Sequence, residues 1–269
     1  MDNVRWLALA AAALYGVVIG AMYIYQRDLV FPVRPEHTAP AAAGFAEARE
    51  HILTTDDGEH IVTWLRRPAE PRRPLVLMLL GNGDNLGIVA PRLREITEDG
   101  SGVLAVGYRG YSGSTGQPSE TGLEQDAEAA YRFAASIVPP NRIVLFGYSL
   151  GSGVAVPLAA RHEIAALVLF APFTSAVAIA SVDYPFLPVR LLMKDQFRSI
   201  DLIGEVKVPI LMVHGERDEV IPISFGRELY AAAPEPKRFV ALPEASHFTL
   251  FQSGGVSAIH AFLDEFRLR

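Results

Sequence analysis

The chain has 269 residues, a length that fits one or two domains. It carries 24 Lys and Arg residues against 30 Asp and Glu residues, a formal net charge of −6, and it has no basic run, so the electrostatic attraction that nucleic-acid binding needs is missing. Because Cys is absent, disulfides, thiolate metal sites and a Cys nucleophile are excluded. Any nucleophile in this chain is therefore an oxygen or a nitrogen.

The first predicted element is an apolar helix near the N-terminus. Residues 6–25 form a run of 20 residues without a charge, and a helix of that length spans about the 30 Å of a bilayer core. Trp6 and Tyr23 lie where interfacial aromatic residues belong, and Arg5 and Arg27 bracket the run. The segment is therefore typical of a helix that crosses a membrane once.

This pattern predicts a single-pass membrane anchor over residues 1–26, followed by a globular domain over residues 27–269. A cleaved signal peptide is the competing interpretation, but the run exceeds the roughly 7 to 15 residues of a signal-peptide core, and no small-x-small site follows it. A buried helix of a soluble core is the third possibility, although such helices usually keep a polar stripe. The few flanking charges favour a cytoplasmic N-terminus, with the globular domain on the periplasmic or extracytoplasmic side.

Beyond residue 26, the chain alternates β-strand and α-helix patterns. Two β-rich runs joined by Asp56-Asp57-Gly58 predict an antiparallel hairpin. Continuous apolar runs then predict strands buried on both faces, at residues 74–81, 103–110, 142–149, 166–173 and 209–215, with a last strand at 239–244. Helical patterns lie between or after these strands, among them residues 120–136, 150–162 and 256–269. This alternation predicts an α/β fold with a mostly parallel central sheet flanked by helices.

We expect one α/β domain with the antiparallel hairpin at one edge of the sheet. No internal repeat or second linker interrupts the alternation. The exception is residues 174–205, which are too long for a plain connection between a helix and a strand and which contain apolar stretches at 184–188 and 191–193. This segment predicts a short cap-like insertion that could cover a site.

A candidate nucleophile lies at one strand-to-helix turn. Gly147-Tyr148-Ser149-Leu150-Gly151 is the one G-x-S-x-G motif in the chain, and it lies between a strand pattern and a helical pattern, as a nucleophile elbow requires. The motif alone arises by chance in roughly a tenth of chains of this length, so its position gives it weight. The alternative is a Ser without a catalytic role in a glycine-rich turn. We therefore predict Ser149 as the nucleophile.

A serine hydroxyl needs a general base, and a third group has to orient that base. Asp218 and His247 each follow a predicted strand, so Ser149, Asp218 and His247 occur in the order Ser, Asp, His at the carboxyl ends of strands. His214, at the end of its strand, is interpreted as a packing or hydrogen-bonding residue. Four other acids stay open as alternatives to Asp218: Glu216, Glu219, Asp183 and Asp195.

Acyl transfer also needs N–H donors for an oxyanion. The backbone N–H of Leu150, directly after the nucleophile, is one candidate. The other is the N–H of Asn82, in the sharp turn that residues 81–85 form after the first buried strand. A phosphate-binding loop is the alternative for this turn, but it lacks G-K-[ST], and no ribose-binding acid follows the next strand.

These motifs resemble the serine-hydrolase branch of the α/β-hydrolase superfamily, and more narrowly its single-pass, membrane-anchored group, which includes palmitoyl-protein thioesterases and lysophospholipases. The matching stretches span almost the whole globular part in order: GNGDN (81–85), YRGYSGSTGQPSETGLEQDAEAA (108–130), FGYSLGSGVA (146–155), YPFLPVRLL (184–192), HGERDEVIP (214–222) and EASHF (244–248). Two positions depart from that group, because Leu80 stands where His is usual and Ser112 where Gly is common.

The resemblance implies an α/β-hydrolase fold with a short cap, in which Ser149 is the nucleophile, Asp218 the acid and His247 the base. Asn82 and Leu150 would supply the oxyanion donors. With these roles, we expect a membrane-anchored serine hydrolase that cleaves carboxylic ester or thioester bonds through an acyl-enzyme and needs no cofactor or metal.

The substrate class follows less directly from the sequence. The apolar insertion and the anchor favour an acyl-chain or lipid-like substrate, such as a lysophospholipid, a monoacylglycerol or an acylated protein. Two alternatives stay open. One is amide cleavage, as in prolyl-type aminopeptidases of the same superfamily, and the other is a catalytically silent, membrane-anchored binding module. The intact set of Ser149, Asp218 and His247 argues against the second.

Overall fold

The computed structural model describes residues 2–269. A long helix, α1 (Asp2–Val30), precedes a domain built on one eight-stranded sheet. The strands are β1 (Arg49–Thr54), β2 (His60–Arg66), β3 (Leu75–Leu79), β4 (Gly102–Gly107), β5 (Ile143–Tyr148), β6 (Ala166–Phe170), β7 (Ile210–Gly215) and β8 (Lys237–Leu242). The other helices are α2 (Leu86–Ile96), α3 (Glu120–Ala135), α4 (Leu150–Arg161), α5 (Ala176–Asp183), α6 (Val189–Leu192), α7 (Ser199–Leu202), α8 (Ile223–Ala232) and α9 (Val256–Glu265).

The strand order across the sheet is β1-β2-β4-β3-β5-β6-β7-β8. The hairpin of β1 and β2 is antiparallel and lies at one edge, with Ile52 opposite Val62, and β2 pairs antiparallel with β4. Every other neighbouring pair is parallel. The sheet confirms the predicted mostly parallel α/β architecture, and the hairpin has the predicted position.

The central strands are buried on both faces, as their continuous apolar runs predict. They are shorter than those runs. The residues after β3 and β4, such as Leu80 and Tyr108, are buried loop residues at the carboxyl edge of the sheet. The apolar pattern therefore continues past the strand ends because the loops at this edge also contribute to the core. The helix α2 directly follows the turn at 81–85 and was not predicted from the sequence.

Residues 174–205 form a small helical insertion, which contains α5, α6 and α7. It packs against the second half of α1. The partly buried residues of that half include Ile19, Met22, Gln26 and Val30, which recur at intervals of three or four residues and therefore share one helix face. The first half of α1 is exposed from residue 3 to residue 18. The stretch Asn3–Val30 is long and apolar enough to cross a membrane, as an anchor or as a signal sequence.

Candidate active site

Ser149 occupies the sharp turn between β5 and α4. Its backbone has φ 52° and ψ −118°, a left-handed conformation that non-glycine residues rarely adopt and that stores roughly 1–3 kcal/mol of strain. The Ser149 N–H donates to the Phe170 carbonyl oxygen at 2.8 Å, which ties the turn to β6. A Cβ atom at Gly151 would lie 2.1 Å from the Leu79 carbonyl oxygen, so only glycine allows α4 this close to β3.

His247 lies in the loop after β8, next to the serine. Its Nε2 atom is 3.0 Å from the Ser149 Oγ atom, and both side chains are buried. The Tyr148 hydroxyl donates to the His247 carbonyl oxygen at 2.9 Å, and the two rings pack with their centroids 5.5 Å apart. Tyr148, which directly precedes Ser149, therefore also holds the loop of His247 in place.

Asp218, in the loop after β7, accepts from the other side of the imidazole. Its Oδ2 atom is 2.8 Å from His247 Nδ1, and its Oδ1 atom accepts from the N–H groups of Val220 and Ile221 at 2.9 and 2.7 Å. Burial opposes the charge on Asp218, but the nearby His214 ring and hydrogen bonds from His247 and the Ile221 N–H outweigh that effect and hold its pKa well below its usual range. The carboxylate thus stays ionised beside the imidazole.

His214 is a further member of this cluster whose contact with the acid the sequence did not predict. It is fully buried at the end of β7, its Nε2 atom donates to the Ile221 carbonyl oxygen at 2.8 Å, and the same atom lies 3.5 Å from Asp218 Oδ2. A Cβ atom at Gly226 would lie 2.3 Å from His214 Nδ1, so α8 closes over this ring. The spacing of four residues between His214 and Asp218 was the one sequence feature that could have predicted this contact.

The four alternative acids lie elsewhere in the part of the chain that the structure describes. Asp195 is buried and pairs with Arg27 at 2.8 Å, and Glu216 lies 3.6 Å from Arg227. Glu219 and Asp183 are exposed. None of these four carboxylates is hydrogen-bonded to His247 within residues 2–269.

The predicted oxyanion donors lie on two neighbouring turns. Leu150 is the first residue of α4, and Asn82 lies in the turn after β3, which the Asp84 N–H closes by donating to the Gly81 carbonyl oxygen at 3.2 Å. Neither the Asn82 N–H nor the Leu150 N–H donates to another group of residues 2–269. Burial raises the pKa of Asp84, although Arg92 donates to its carboxylate at 3.0 Å.

The two departures from the family pattern have structural explanations. Leu80, which stands where His is usual, is buried in the core directly before the predicted oxyanion turn, and its apolar side chain suits that position. Ser112 adopts φ 57°, a conformation that suits the common Gly. Its Oγ atom accepts from the N–H of Leu86 at 3.0 Å, which satisfies a backbone donor in the first turn of α2 and compensates for the strain. Among the described residues, no group of three His, Asp or Glu side chains is arranged to hold a metal ion.

Comparisons with known proteins are consistent with this geometry. The family model described as "Serine aminopeptidase, S33" matches residues 70–194, which include the turn at 81–85 and Ser149. The chain is 37% identical to the uncharacterized protein Rv2307c of Mycobacterium tuberculosis over 254 residues, 92% of this chain and 90% of that protein. It is 30% identical to protein bem46 of Schizosaccharomyces pombe, over 97% of this chain and 93% of that protein.

Solved structures share the fold at lower identity. The esterase Pf2001 of Pyrococcus furiosus superposes with a TM-score of 0.71 at 19% identity, covering 87% of this chain and 100% of the esterase. The esterase EaEST of Exiguobacterium antarcticum gives a TM-score of 0.64 at 16% identity, covering 80% and 100%. With the sheet topology and the two relatives that match almost full length, these comparisons show that the chain belongs to the α/β-hydrolase superfamily.

Proposed function

We propose that this protein is a membrane-anchored serine hydrolase that cleaves carboxylic ester or thioester bonds of acyl-chain substrates. The observation that carries the proposal is the continuous hydrogen-bonded set in which His247 lies 3.0 Å from Ser149 Oγ and 2.8 Å from Asp218 Oδ2. Membership of the α/β-hydrolase superfamily supports hydrolysis as the reaction class.

The proposed chemistry follows from the order of the three side chains. His247 Nε2 accepts the Ser149 hydroxyl proton while Oγ attacks the substrate carbonyl carbon, and Asp218 stabilises the imidazolium that forms. The N–H groups of Asn82 and Leu150 would donate to the oxyanion of the tetrahedral intermediate. His247 then protonates the leaving alcohol or thiol. Water, deprotonated by His247, attacks the acyl-enzyme and releases the carboxylic acid and Ser149.

Contacts of α1 support a helix that is retained in the mature protein rather than removed as a signal peptide. Arg27 makes a two-point ion pair with the buried Asp195 at 2.8 and 3.1 Å, and Gln26 exchanges hydrogen bonds with the backbone of the insertion. The carbonyl oxygen of Val30 accepts from the Asn82 side chain at 2.7 Å. These contacts to the domain support the proposal that α1 is retained.

A fluorophosphonate probe, which reacts with an activated serine, tests the proposal on the full-length protein in detergent. We expect the wild type to be labelled and Ser149→Ala to lose the label, with a fall in kcat on p-nitrophenyl esters of about 10⁶. Ser257→Ala, on the exposed surface of α9, is the matched control and should label like the wild type. Labelling that persists in Ser149→Ala, or no labelling of the wild type, would reject the assignment.

Amide cleavage is the second candidate, favoured by the description "Serine aminopeptidase, S33" of the matching family model. The same three side chains serve either reaction. Comparing kcat/KM for p-nitrophenyl esters with kcat/KM for aminoacyl p-nitroanilides separates the two. Ester hydrolase function predicts a strong preference for the esters, whereas a preference for the anilides would favour the peptidase.

A further inference from the structure

A mostly apolar cavity of about 250 Å³ lies between α1 and the insertion at residues 174–205. Ile19, Met22 and Val30 of α1 line one wall, and Ala180, Leu187 and Leu192 are among the residues of the opposite wall. The volume is just below the roughly 300–1,000 Å³ of typical ligand pockets, so it suits one slender chain better than a bulky ligand.

Specific contacts hold the insertion along α1 on either side of this cavity. The Tyr15 hydroxyl donates to the Phe186 carbonyl oxygen at 2.6 Å, and twelve residues further along, Arg27 pairs with Asp195. At 1.5 Å per residue, these two contacts lie about 18 Å apart along the helix axis. Between them, the Gln26 side chain donates to the Leu192 carbonyl oxygen at 3.2 Å. The cavity wall that α1 supplies is therefore fixed at both ends.

The position of Tyr15 gives the depth of the insertion in a bilayer. Tyr15 lies in the middle of the apolar run 6–25, ten residues before Tyr25, which corresponds to about 15 Å or half of a hydrocarbon core of about 30 Å. A backbone contact from Phe186 to Tyr15 thus brings the tip of the insertion to the depth of the acyl chains of one leaflet.

The surface of this tip fits such an environment. The side chains of Val182, Phe186 and Leu191 are exposed to 65%, 64% and 85%, which is unfavourable in water and favourable among hydrocarbon chains. The same segment carries two exposed charged residues, Asp183 and Arg190, which are unfavourable in hydrocarbon and would have to reach the headgroup region. Further along α1, Lys194 lies over the Tyr23 ring at 4.3 Å, and aromatic residues with nearby basic residues are typical of a membrane interface.

One residue that lines the cavity also contacts the proposed oxyanion turn. Val30 lines the end of the cavity, and the Val30 carbonyl oxygen accepts from the Asn82 side chain at 2.7 Å. The next residue, Phe31, is buried and packs edge-on against Phe197, which follows the insertion helices α5 and α6. One stretch of chain therefore forms both the end wall of the cavity and a support of the turn that would bind the oxyanion.

We propose that this cavity binds the hydrocarbon chain of a lipid substrate that enters from the leaflet facing the hydrolase domain. In this arrangement α1 is a wall of the substrate site as well as an anchor, and the insertion is a membrane-embedded cap. The inference rests on the proposed function and names the substrate class of the same site.

Filling the cavity tests the inference in the full-length protein reconstituted in phosphatidylcholine nanodiscs. Ala180→Trp and Met22→Trp each place an indole in the cavity, from opposite walls. Two variants are used so that the test still works if one of them fails to fold. Each buried methylene contributes about fourfold to binding, so displacing two of them changes affinity by more than tenfold. We expect the ratio of kcat/KM for p-nitrophenyl dodecanoate to kcat/KM for the acetate to fall at least tenfold in both variants.

Leu9→Trp is the matched control, because Leu9 lies on α1 but is 60% exposed and outside the cavity. Its dodecanoate-to-acetate ratio should equal that of the wild type. An unchanged ratio in both cavity variants overturns the inference, and so does an equal fall in Leu9→Trp.

A binding measurement separates this inference from the proposed function. A dodecanoic acid that carries a diazirine is photolysed with Ser149→Ala, and the cross-linked peptides are mapped. Cross-links within 19–30 or 180–193 that Ala180→Trp abolishes support the cavity site, even when the wild type hydrolyses no ester and the proposed function fails. Ester hydrolysis with cross-links confined to other segments leaves the proposed function intact and overturns the cavity site. If the wild type hydrolyses no ester and the probe forms no cross-links, both the proposed function and the cavity site are overturned.

Discussion

The two oxygens of Asp218 have different tasks. Oδ2 lies 2.8 Å from His247 Nδ1, and Oδ1 accepts from two backbone N–H groups of its own loop. The backbone bonds fix the carboxylate plane, so the imidazole has one orientation in which it reaches both Asp218 and Ser149. A negative charge at Oδ2 favours the tautomer with a proton on Nδ1, which leaves Nε2 free to accept the Ser149 proton in the proposed mechanism.

Asp218→Asn tests this orientation at the level of one atom. The amide oxygen keeps the two backbone bonds, while the NH₂ group turns towards His247 and favours the wrong tautomer. We expect kcat on a p-nitrophenyl ester to fall about 10⁴-fold. Glu219→Gln, the exposed neighbour, is the control and should keep its kcat. A loss smaller than tenfold in Asp218→Asn would contradict the role of Asp218.

Between elements, Arg109 makes the densest set of buried polar contacts. It lies after β4, its Nε and Nη2 atoms bind the Asp126 carboxylate of α3 at 2.9 and 2.8 Å, and its Nη1 atom binds Asp57 in the hairpin turn at 2.8 Å. Arg109 and Asp126 are buried, at 5% and 0% exposure. The ion cluster thus ties the edge hairpin, the central sheet and a flanking helix together near the carboxyl edge of β4.

Arg109→Met keeps much of the side-chain volume but leaves the Asp126 charge buried without its partner. We expect a loss of about 3–5 kcal/mol in the free energy of unfolding, because an unpaired buried charge is strongly unfavourable. Arg132→Met is the matched control. Arg132 binds Asp56 of the same turn at 2.8 Å, but this pair is exposed and should contribute less than about 1 kcal/mol. Urea unfolding in detergent measures the free energy of unfolding of both variants. Equal losses in the two variants would contradict the larger contribution of the buried ion pair.

Asp57 makes the stability of this cluster depend on pH. Hydrogen bonds from Arg109, and next from Thr55, lower the pKa of Asp57 to about 2. A carboxyl with a lowered pKa in the folded state contributes stability above its unfolded pKa of about 3.9, and this contribution is lost as the pH falls towards 2.

Asp57→Asn should therefore have a lower thermal midpoint than the wild type at pH 5, and the gap should close as the pH falls from about 4 to 2. Below that range the wild-type carboxyl is neutral and resembles the amide. Differential scanning fluorimetry of both proteins across this range measures the gap. A gap that stays constant down to pH 2 would show that Asp57 does not supply this dependence.

At the scale of the whole molecule, one membrane helix, one insertion and one α/β domain act together in the proposed function. The insertion at 174–205 contacts α1 through Tyr15, Gln26 and Arg27, so the domain cannot rotate freely about this helix. With α1 as the proposed membrane anchor, this arrangement would orient the strand ends, and with them Ser149, relative to the membrane surface. The side of the membrane on which the domain lies would then decide which lipids the proposed site meets.

Single cysteines report the membrane side, because the chain has no Cys of its own. We expect a membrane-impermeant maleimide to label Glu163→Cys, on the exposed end of the domain, in intact cells, and to label Asn3→Cys only after permeabilisation. The opposite pattern would place the hydrolase domain in the cytoplasm. A mature protein that lacks residue 3 altogether would identify α1 as a cleaved signal peptide.

The elements that the sequence predicted correctly are those whose signal is local. Apolar runs such as 142–149 and 166–173 are buried on both faces wherever they lie in a parallel sheet, and the Asp57-Gly58 turn selects the hairpin by its own backbone geometry. The predicted positions of the strand ends were less accurate, because the loops at the carboxyl edge of the sheet are as buried as the strands. Likewise, α2 was missed, although Asn85 caps it by accepting from the Ile88 N–H at 2.9 Å.

The sequence by itself determined the fold class, the apolar N-terminal helix, and the order of Ser149, Asp218 and His247 after successive strands. Only the tertiary structure decided which groups meet. The contact of His214 with Asp218 lies where α8 packs closely over the His214 ring, which Gly226 permits, and the cavity between α1 and the insertion joins segments 150 or more residues apart. Hydrophobic periodicity and secondary-structure propensity describe only short stretches of the chain. Distances between side chains that are remote in sequence follow from how the sheet and the elements that cover it pack.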